Sequence, residues 1–348
     1  MQQLTYGDVR SAAGRIAGRV RQVTLARLDP DASQGSRDGL GPDVPQGPGE
    51  VWLALEFMQH TGSFKARGAQ NFLLAHREAG TLPEAGVTIA SGGNAGLACA
   101  WAARQQGVTA TVFVPATAPA VKVAGLRAYG AEVRQVGTEY AESRAACERF
   151  AAETGALTSQ AYDHPLIAAG AGTLLEEVCS QLPGLDTVLV AVGGGGLFAG
   201  VATAAREHGV RTVAVEPENC RALNAALEAG SPVDVPVDSV AADSLGARRV
   251  SALALHAARQ VGADSLTVPD TGILRARQQL WDHCRIAVEH GTAAAFAALT
   301  AGWSRPPGQE RTAGAPIRGY RPAAGEKVCV VLCGANTDPA DLVGRADS

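Results

Sequence analysis

Short apolar runs rich in β-branched residues alternate with longer alanine-rich amphipathic stretches along most of this 348-residue chain. Continuous apolar runs are typical of strands buried on both faces of a parallel sheet, and each parallel crossover needs a dozen or more residues. The alternation therefore predicts an α/β fold with mostly parallel sheets flanked by helices. The predicted strands are residues 87–90, 110–114, 132–136, 187–192, 211–215, 266–268 and 327–332.

The stretches between these strands predict helices over residues 95–106, 138–154, 164–181, 197–208 and 271–284. Two segments, residues 29–50 and 304–325, are rich in glycine, proline and polar residues. We interpret both as long surface loops rather than domain linkers, because the α/β pattern resumes after each one.

The composition narrows the range of partners. A net charge of −4 and a pI near 6.0 give no electrostatic basis for binding nucleic acid or an anionic membrane. The chain has no run of eighteen apolar residues, and residues 1–20 lack the apolar stretch of a signal peptide. Seven scattered cysteines indicate reduced thiols and a cytoplasmic protein. Cys329 and Cys333 have no second Cys or His pair nearby, so we interpret both as strand residues.

The first candidate site is the segment 59–69. Gly62 and Ser63 predict a helix start with the Ser63 hydroxyl as N-cap, which puts Lys65 in the first helical turn. The helix dipole and burial both lower the pKa of a lysine there, and a neutral amine forms an imine with an aldehyde. On this segment alone, the alternative is a solvated surface lysine beside Arg67.

Two more glycine-rich segments follow predicted strands. In residues 91–96, the backbone N–H groups can bind a carboxylate, while Asn94 either caps the next helix or donates to a cofactor oxygen. Residues 193–196 are four consecutive glycines, which let the backbone wrap closely around a phosphate. Gly194, Gly196 and Ala199 also match a dinucleotide-binding pattern with Glu216 as its acidic residue, so a nicotinamide oxidoreductase is an alternative on this segment.

Taken together, residues 59–69, 91–96 and 193–197 resemble the lysine, substrate and phosphate motifs of the fold-type II pyridoxal phosphate (PLP) enzymes, most of all the serine/threonine dehydratase family. Residues 169–173, 215–217 and 332–336 extend the similarity over most of the chain. The resemblance implies two domains of the tryptophan synthase β-like type. Residues 1–55 and 161–348 would form the large PLP-binding domain, and residues 56–160 a small, mobile domain carrying the substrate loop.

The resemblance also implies a role for each matching residue. Lys65 forms a Schiff base with PLP and later removes the Cα proton, Phe64 lies against the pyridine ring, and Asn94 contacts the phenolic oxygen. Cys333 faces the pyridine nitrogen, and a thiol there leaves the ring neutral, which suits β-elimination. The phosphate is bound by backbone N–H groups of Gly193, Gly194, Gly195, Gly196 and Leu197. The loop for the substrate carboxylate consists of Ser91, Gly92, Gly93 and Ala95.

The activity implied is elimination of water and ammonia from L-threonine, L-serine or both, by a homodimer. Gly92 stands where serine racemases of this fold have a serine, which argues against efficient racemisation. Cys220 and Ala222 follow Glu216 where many relatives have an aspartate for a divalent cation. We therefore expect no strong Mg²⁺ site, with Glu216 as a candidate ligand for a monovalent cation.

Other PLP reactions remain open alternatives: racemisation of serine, dehydration of hydroxyaspartate, and β-replacement of the cysteine-synthase type. Cysteine synthases differ at all three motifs; for example, they have an aspartate after Lys-x, where this chain has Arg67. A non-catalytic ligand sensor on the same scaffold is a further alternative, and the intact Lys65 argues against it.

Overall fold

The computed structural model describes residues 3–28, 49–303 and 319–343. In these ranges the chain forms strands and helices in alternation. The strands are β1 (Leu25–Arg27), β2 (Glu50–Ala54), β3 (Val87–Ala90), β4 (Ala110–Val114), β5 (Glu132–Gln135), β6 (Leu157–Thr158), β7 (Thr187–Ala191), β8 (Arg211–Pro217), β9 (Asp264–Val268) and β10 (Lys327–Val331).

Two short 3₁₀ turns, Glu56–Met58 and His60–Gly62, lead from β2 toward the lysine segment. The α-helices are α1 (Tyr6–Ile16), α2 (Lys65–Glu78), α3 (Asn94–Gln106), α4 (Ala120–Ala128), α5 (Tyr140–Thr154), α6 (Pro165–Gln181), α7 (Gly196–His208), α8 (Ala222–Ala229), α9 (Ala242–Leu245), α10 (Ala252–Val261), α11 (Asp270–Cys284), α12 (His290–Trp303) and α13 (Ala340–Val343). None of the helices in the described ranges is long and apolar enough to cross a membrane.

The strands form two sheets. The larger has the order β1-β2-β10-β7-β8-β9 and is parallel except for β1, which pairs antiparallel with β2. The smaller has the order β5-β4-β3-β6 and is parallel throughout. All five residues of β4 and of β7 are buried, as expected for inner strands covered on both faces.

Each sheet has its own apolar core. One cluster packs α6, α7 and α10 against one face of the larger sheet, and a second packs α11 and α12 against the other face. A third cluster joins the smaller sheet to α2 and α3. Extensive contacts of α6 with both α2 and α7 connect the two halves of the molecule around the region where the predicted site residues lie.

The α/β prediction is confirmed, and every predicted strand and helix is present within two residues of its predicted bounds. Three strands were not predicted: β1 and β2 on one side of the larger sheet, and the two-residue β6 at an edge of the smaller sheet. The predicted loops 29–50 and 304–325 lie mostly outside the described residues, although Glu50 belongs to β2 and not to a loop. The two-domain division at residues 55/56 and 160/161 stays a prediction.

Candidate active site

The predicted site segments follow the carboxyl ends of parallel strands. The lysine segment comes after β2, residues 91–96 come after β3, the four glycines come after β7, and Cys333 comes after β10. In open α/β sheets, ligands bind in the crevice at this edge. The fold therefore gathers segments that are far apart in sequence on one side of the molecule.

Lys65 is the first residue of α2, as predicted, and its side chain points into the protein. Its Nζ donates a hydrogen bond of 2.7 Å to the carbonyl oxygen of Ala161 and lies 4.8 Å from the centre of the Phe64 ring. Burial lowers the pKa of Lys65 to about 8, while Cys333 and Glu289 oppose that shift. The amine is therefore far more often neutral near pH 8 than an exposed lysine amine, whose pKa is near 10.4.

The lowered pKa predicts how the apoprotein takes up an aldehyde. At pH 8 about half of the Lys65 amine is neutral, against roughly 0.4% for an unperturbed lysine. The rate of imine formation should rise with pH and level off above about pH 8, which can be followed by absorbance near 420 nm after mixing with PLP. Nα-acetyl-lysine mixed with PLP is the matched control. If the rate of imine formation by the protein kept rising up to pH 10 in parallel with the rate for Nα-acetyl-lysine, the prediction would be contradicted.

The lysine segment is paired with the C-terminal motif. Phe64 N–H donates to the Cys333 carbonyl at 2.9 Å, and Ser63 forms an isolated antiparallel bridge with Gly334. The prediction that Ser63 caps α2 is wrong: the N-cap is Phe64, and the buried Ser63 hydroxyl has no hydrogen-bond partner among the described residues. The backbone pairing with Gly334 orients Ser63, so the start of α2 is fixed by tertiary contacts rather than by a local cap.

Cys333 lies two residues beyond β10, so the prediction that it is a strand residue is wrong, whereas Cys329 is within the strand as predicted. Burial raises the pKa of the Cys333 thiol to about 12, although a contact of 3.3 Å with the Thr292 hydroxyl acts in the other direction. The Thr292 hydroxyl also lies 2.8 Å from the Gly334 carbonyl, so Thr292 contacts both Cys333 and Gly334. Cys333 is thus a neutral thiol at neutral pH.

Asn94 lies at the centre of a polar network. The prediction that it could cap α3 is not met, because Gly93 is the N-cap and Asn94 is the first helical residue. Its amide donates to both oxygens of Glu289, at 2.9 and 3.1 Å, and its Oδ1 accepts from the Asn336 amide at 2.6 Å. Asn336 N–H also donates to Glu289, at 2.9 Å. Burial raises the pKa of Glu289, although these donors favour the carboxylate.

The four glycines after β7 are closely packed by the protein itself, and Gly194, Gly195 and Gly196 most tightly. A Cβ on Gly193 would lie 3.0 Å from Cα of Leu245, and one on Gly195 would lie 2.3 Å from Cβ of Ala254, on a backbone with φ of 91°. A Cβ on Gly194 or Gly196 would collide with Tyr162. The chain therefore passes through a narrow gap and enters α7, whose first turn leaves backbone N–H groups without intrahelical acceptors. This arrangement is suited to holding a phosphate.

The substrate-loop residues Ser91, Gly92, Gly93 and Ala95 are half-buried around the start of α3. Gly93 and Asn94 open a helix of thirteen residues, and the N-terminus of such a helix favours a carboxylate. A Cβ on Gly92 would lie 3.3 Å from Val114 Cγ1 and meet no other atom within 4 Å. The absence of a side chain at Gly92 is therefore not forced by close packing.

Glu216 is buried at the end of β8, and both of its carboxylate oxygens are used by the protein. They accept hydrogen bonds of 2.7 and 2.8 Å from the backbone N–H groups of Leu223 and Asn224. Burial raises the pKa of Glu216 to about 8, although these two donors act against that shift. Within the described ranges there is no group of three or more His, Cys, Asp or Glu side chains that could hold a metal ion. The role of Glu216 as a ligand for a monovalent cation stays a prediction.

Several residues near the predicted ones were not predicted. Glu289 and Asn336 complete the Asn94 network, Thr292 contacts Cys333, and Ala161 and Tyr162 contact Lys65 and the glycines. Asn336 had a sequence signal, because it belongs to the motif at residues 332–336, but no role was assigned to it or to Glu289. Nothing in the local pattern around residues 161–162 marked them as part of a site.

A half-buried, readily deprotonated lysine, a glycine loop at a helix N-terminus and a neutral thiol at one sheet edge are the features of enzymes that attach an aldehyde cofactor to a lysine. Residues 42–314 match the sequence model of the family described as pyridoxal-phosphate dependent enzyme. The chain belongs to this family, and PLP is its cofactor. The family assignment excludes the nicotinamide alternative, and the resemblance to fold-type II PLP enzymes is confirmed.

Known proteins of similar sequence and structure agree with this assignment. The chain is 35% identical over 300 residues to an L-threonine ammonia-lyase of Geobacter sulfurreducens, covering 85% of this chain and 71% of that protein. It is 36% identical over 292 residues to a human serine dehydratase-like protein, covering 82% and 85%. The structure of maize serine racemase superposes with a TM-score of 0.82 at 27% identity, covering 98% and 96%.

The residues present fit PLP. Lys65 supplies the amine for its aldehyde, and the loop from Gly193 to Leu197 supplies a tight turn and a helix N-terminus for its phosphate. Cys333 supplies a neutral hydrogen-bond donor for its pyridine nitrogen. Asn94 has an amide already oriented by Glu289 and Asn336 beside these groups.

Proposed function

We propose that this chain is a PLP-dependent ammonia-lyase that converts L-threonine to 2-oxobutanoate, L-serine to pyruvate, or both, with release of ammonia. The observation that carries the proposal is the neutral Cys333 thiol in the same site as the half-buried Lys65 amine. A thiol of high pKa does not keep a pyridine ring protonated, and a neutral ring suits β-elimination better than transamination. The related L-threonine ammonia-lyase and serine dehydratase-like proteins support the same reaction.

When bound, PLP supplies the electron sink for the carbanion that forms at Cα. In the proposed reaction, neutral Lys65 removes the Cα proton, and its pKa of about 8 suits a base that works near neutral pH. Its hydrogen bond to the Ala161 carbonyl orients the amine. The β-hydroxyl takes up a proton, which balances the one that Lys65 removes from Cα, and leaves as water. The released enamine then consumes one water as it hydrolyses to a 2-oxo acid and ammonia.

The loop formed by Ser91, Gly92, Gly93 and Ala95 binds the substrate carboxylate in this proposal, because the start of α3 offers backbone N–H donors and a positive helix end. Asn94 contacts the phenolic oxygen of PLP while its amide stays bonded to Glu289. The four glycines and Leu197 bind the phosphate. Phe64 lies beside Lys65 and against the pyridine ring.

Purified protein tests the proposal in two stages. An absorbance band near 410–420 nm, as a rough expectation for lysine-bound PLP, should be present or appear after PLP is added. Steady-state assays should then compare L-serine, D-serine, L-threonine and 3-hydroxyaspartate as substrates. We expect equal amounts of 2-oxo acid and ammonia from L-threonine, L-serine or both. A protein that carries the band but forms no 2-oxo acid from either L-substrate would contradict the proposed reaction and leave the cofactor assignment intact.

Serine racemisation is the second candidate, because maize serine racemase shares the fold over nearly the whole chain. Racemisation needs an acid–base group on the face of Cα opposite Lys65, and Gly92 provides none. We therefore expect the unmodified protein to form little D-serine from L-serine.

Replacing Gly92 with serine tests this explanation. The structure has room for the side chain, since the nearest atom to a Cβ is 3.3 Å away. We expect Gly92→Ser to raise D-serine formation by about tenfold or more, because a positioned acid–base group contributes about 10²–10⁴-fold. Gly93→Ser is the matched control, since a Cβ there meets no atom within 4 Å and is less crowded than one on Gly92. Chiral chromatography measures the product, and equal D-serine from both variants would contradict the assignment to Gly92.

We also propose a cytoplasmic homodimer that acts on small amino acids. All seven cysteines are free thiols, which suits a reducing compartment.

The choice between serine and threonine depends on one methyl group, and such a difference is worth only about 1–3 kcal/mol in a binding pocket. Activity measured in K⁺ and in Na⁺, compared with a buffer of a bulky organic cation, tests the predicted role of Glu216.

A further inference from the structure

The segment Ala161–Tyr162 touches both ends of the cofactor site. The Ala161 carbonyl accepts the hydrogen bond from Lys65 Nζ at 2.7 Å. The next residue, Tyr162, packs on the glycine loop Gly193–Gly196. This segment connects β6 to α6, and it lies between the group that binds the aldehyde and the cradle that binds the phosphate.

The contact between Tyr162 and the loop is close and faces two glycines. A Cβ built on Gly194 would lie 2.4 Å from each of three Tyr162 ring carbons, so the Gly194 Cα faces the flat side of the ring. A Cβ on Gly196 would lie 2.8 Å from the Tyr162 carbonyl oxygen and 3.0 Å from its Cβ. The ring and its own backbone thus occupy the space that side chains on either glycine would need.

A glycine loop needs such a support more than other loops do. Glycine loses more conformational freedom on ordering than any other residue, and four in a row are intrinsically flexible. A loop that is already ordered before the ligand arrives binds more tightly, because less freedom is lost on binding. The Tyr162 ring supplies a rigid surface for the loop at little entropic cost, since tyrosine has few rotatable bonds.

We infer that Tyr162 is a positioning residue for the PLP phosphate: its ring orders the glycine loop, and through Ala161 the same segment sets the position of the loop relative to Lys65. The ring carries this role and the hydroxyl does not, because among residues 3–28, 49–303 and 319–343 the Tyr162 hydroxyl donates only one long hydrogen bond, of 3.5 Å, to the Arg249 carbonyl. The inference rests on PLP binding, which the family establishes, and not on the proposed elimination reaction.

Affinities of the apoprotein for PLP and for pyridoxal, which lacks the phosphate, test the inference without any turnover. We expect Tyr162→Ala to weaken PLP binding by about tenfold or more, from the freedom that the loop must then lose on binding. Pyridoxal affinity should change by less than about twofold, because its binding does not use the loop. Tyr162→Phe keeps the ring and should match the unmodified protein. Equal losses for PLP and pyridoxal, or no loss for either, would overturn the inference.

A second pair of variants tests the contact itself and does not depend on how well Tyr162→Ala folds. Gly194→Ala places a methyl group against the ring and should weaken PLP binding strongly. If the ring is the obstacle, Gly194→Ala combined with Tyr162→Gly should bind PLP more tightly than Gly194→Ala alone. A double variant that binds no better would mean that the methyl group interferes with the phosphate directly, and the inferred role of Tyr162 would be wrong.

Discussion

Lys65→Ala is expected to abolish the formation of 2-oxo acid from serine and threonine. The variant loses the amine that binds the cofactor and, in the proposed reaction, the base that takes the Cα proton. A base alone is worth about 10²–10⁴-fold, so activity should fall at least that far. The absorbance band near 410–420 nm, a rough expectation for lysine-bound PLP, should be lost as well.

The chain offers a well-matched control, because it has three lysines: Lys65, Lys122 and Lys327. Lys327 begins β10, at the end of the strand opposite Cys333, and its Nζ donates to the Pro183 carbonyl. Lys327→Ala should keep both the absorbance band and the activity. A Lys65→Ala protein that still forms 2-oxo acid at a tenth of the normal rate would show that another group acts as the base.

Arg67→Met is expected to lower the stability of the protein by about 3–5 kcal/mol, the range typical when one partner of a buried ion pair is removed. The Arg67 guanidinium is fully buried and donates to both oxygens of Glu56 and of Glu177. Without it, the buried Glu56 carboxylate has no cation within the described part of the chain, and its burial already raises its pKa.

The loss of stability in Arg67→Met should become larger as the pH rises. A carboxyl whose pKa is raised on folding is tolerated at low pH, where it is neutral, and destabilises the fold as pH rises and it ionises. The difference in thermal midpoint between Arg67→Met and the unmodified apoprotein should therefore be larger at pH 8 than at pH 5. Arg144→Ala, which removes an exposed pair with Glu148, is the control and should cost at most about 1 kcal/mol. If the loss of stability in Arg67→Met did not change with pH, packing of the Arg67 side chain and not its charge would account for most of that loss.

Much of the fold was predictable because it depends on local pattern. The runs at residues 87–90 and 110–114 gave strands with the bounds found in the structure, since both are buried inner strands with continuous apolar sequence. The edge strand Leu25–Arg27 has three residues, and only one short run of pairs with β2 defines it. Three residues are too few to show the periodicity of a strand in the sequence. The pairing with β2 is therefore what defines this strand.

The site was predictable where a single segment determines the chemistry and not where distant segments meet. Lys65 and the four glycines were recognised as candidates from their own neighbours in sequence, and the joint resemblance of the three segments to one family's motifs decided their roles. The contacts of Asn94 with Glu289 join residues 195 positions apart, and those of Ser63 with Gly334 replace the local cap that the sequence suggested. Such pairs depend on how the two sheets are placed, which no periodicity encodes.

The crowding of the four glycines by the surrounding protein has a consequence for how related sequences should be judged. Gly194, Gly195 and Gly196 are needed to avoid collisions with neighbouring residues, and a side chain on Gly193 would press against Leu245. Selection for a stable fold would therefore preserve the glycines in a descendant that had stopped using PLP. An intact glycine run is then no proof of catalysis in a duplicated or degenerate copy, whereas Lys65, which no packing demand fixes as lysine, would be free to mutate. The lysine, and not the glycine run, is the position that separates a working copy from a pseudoenzyme.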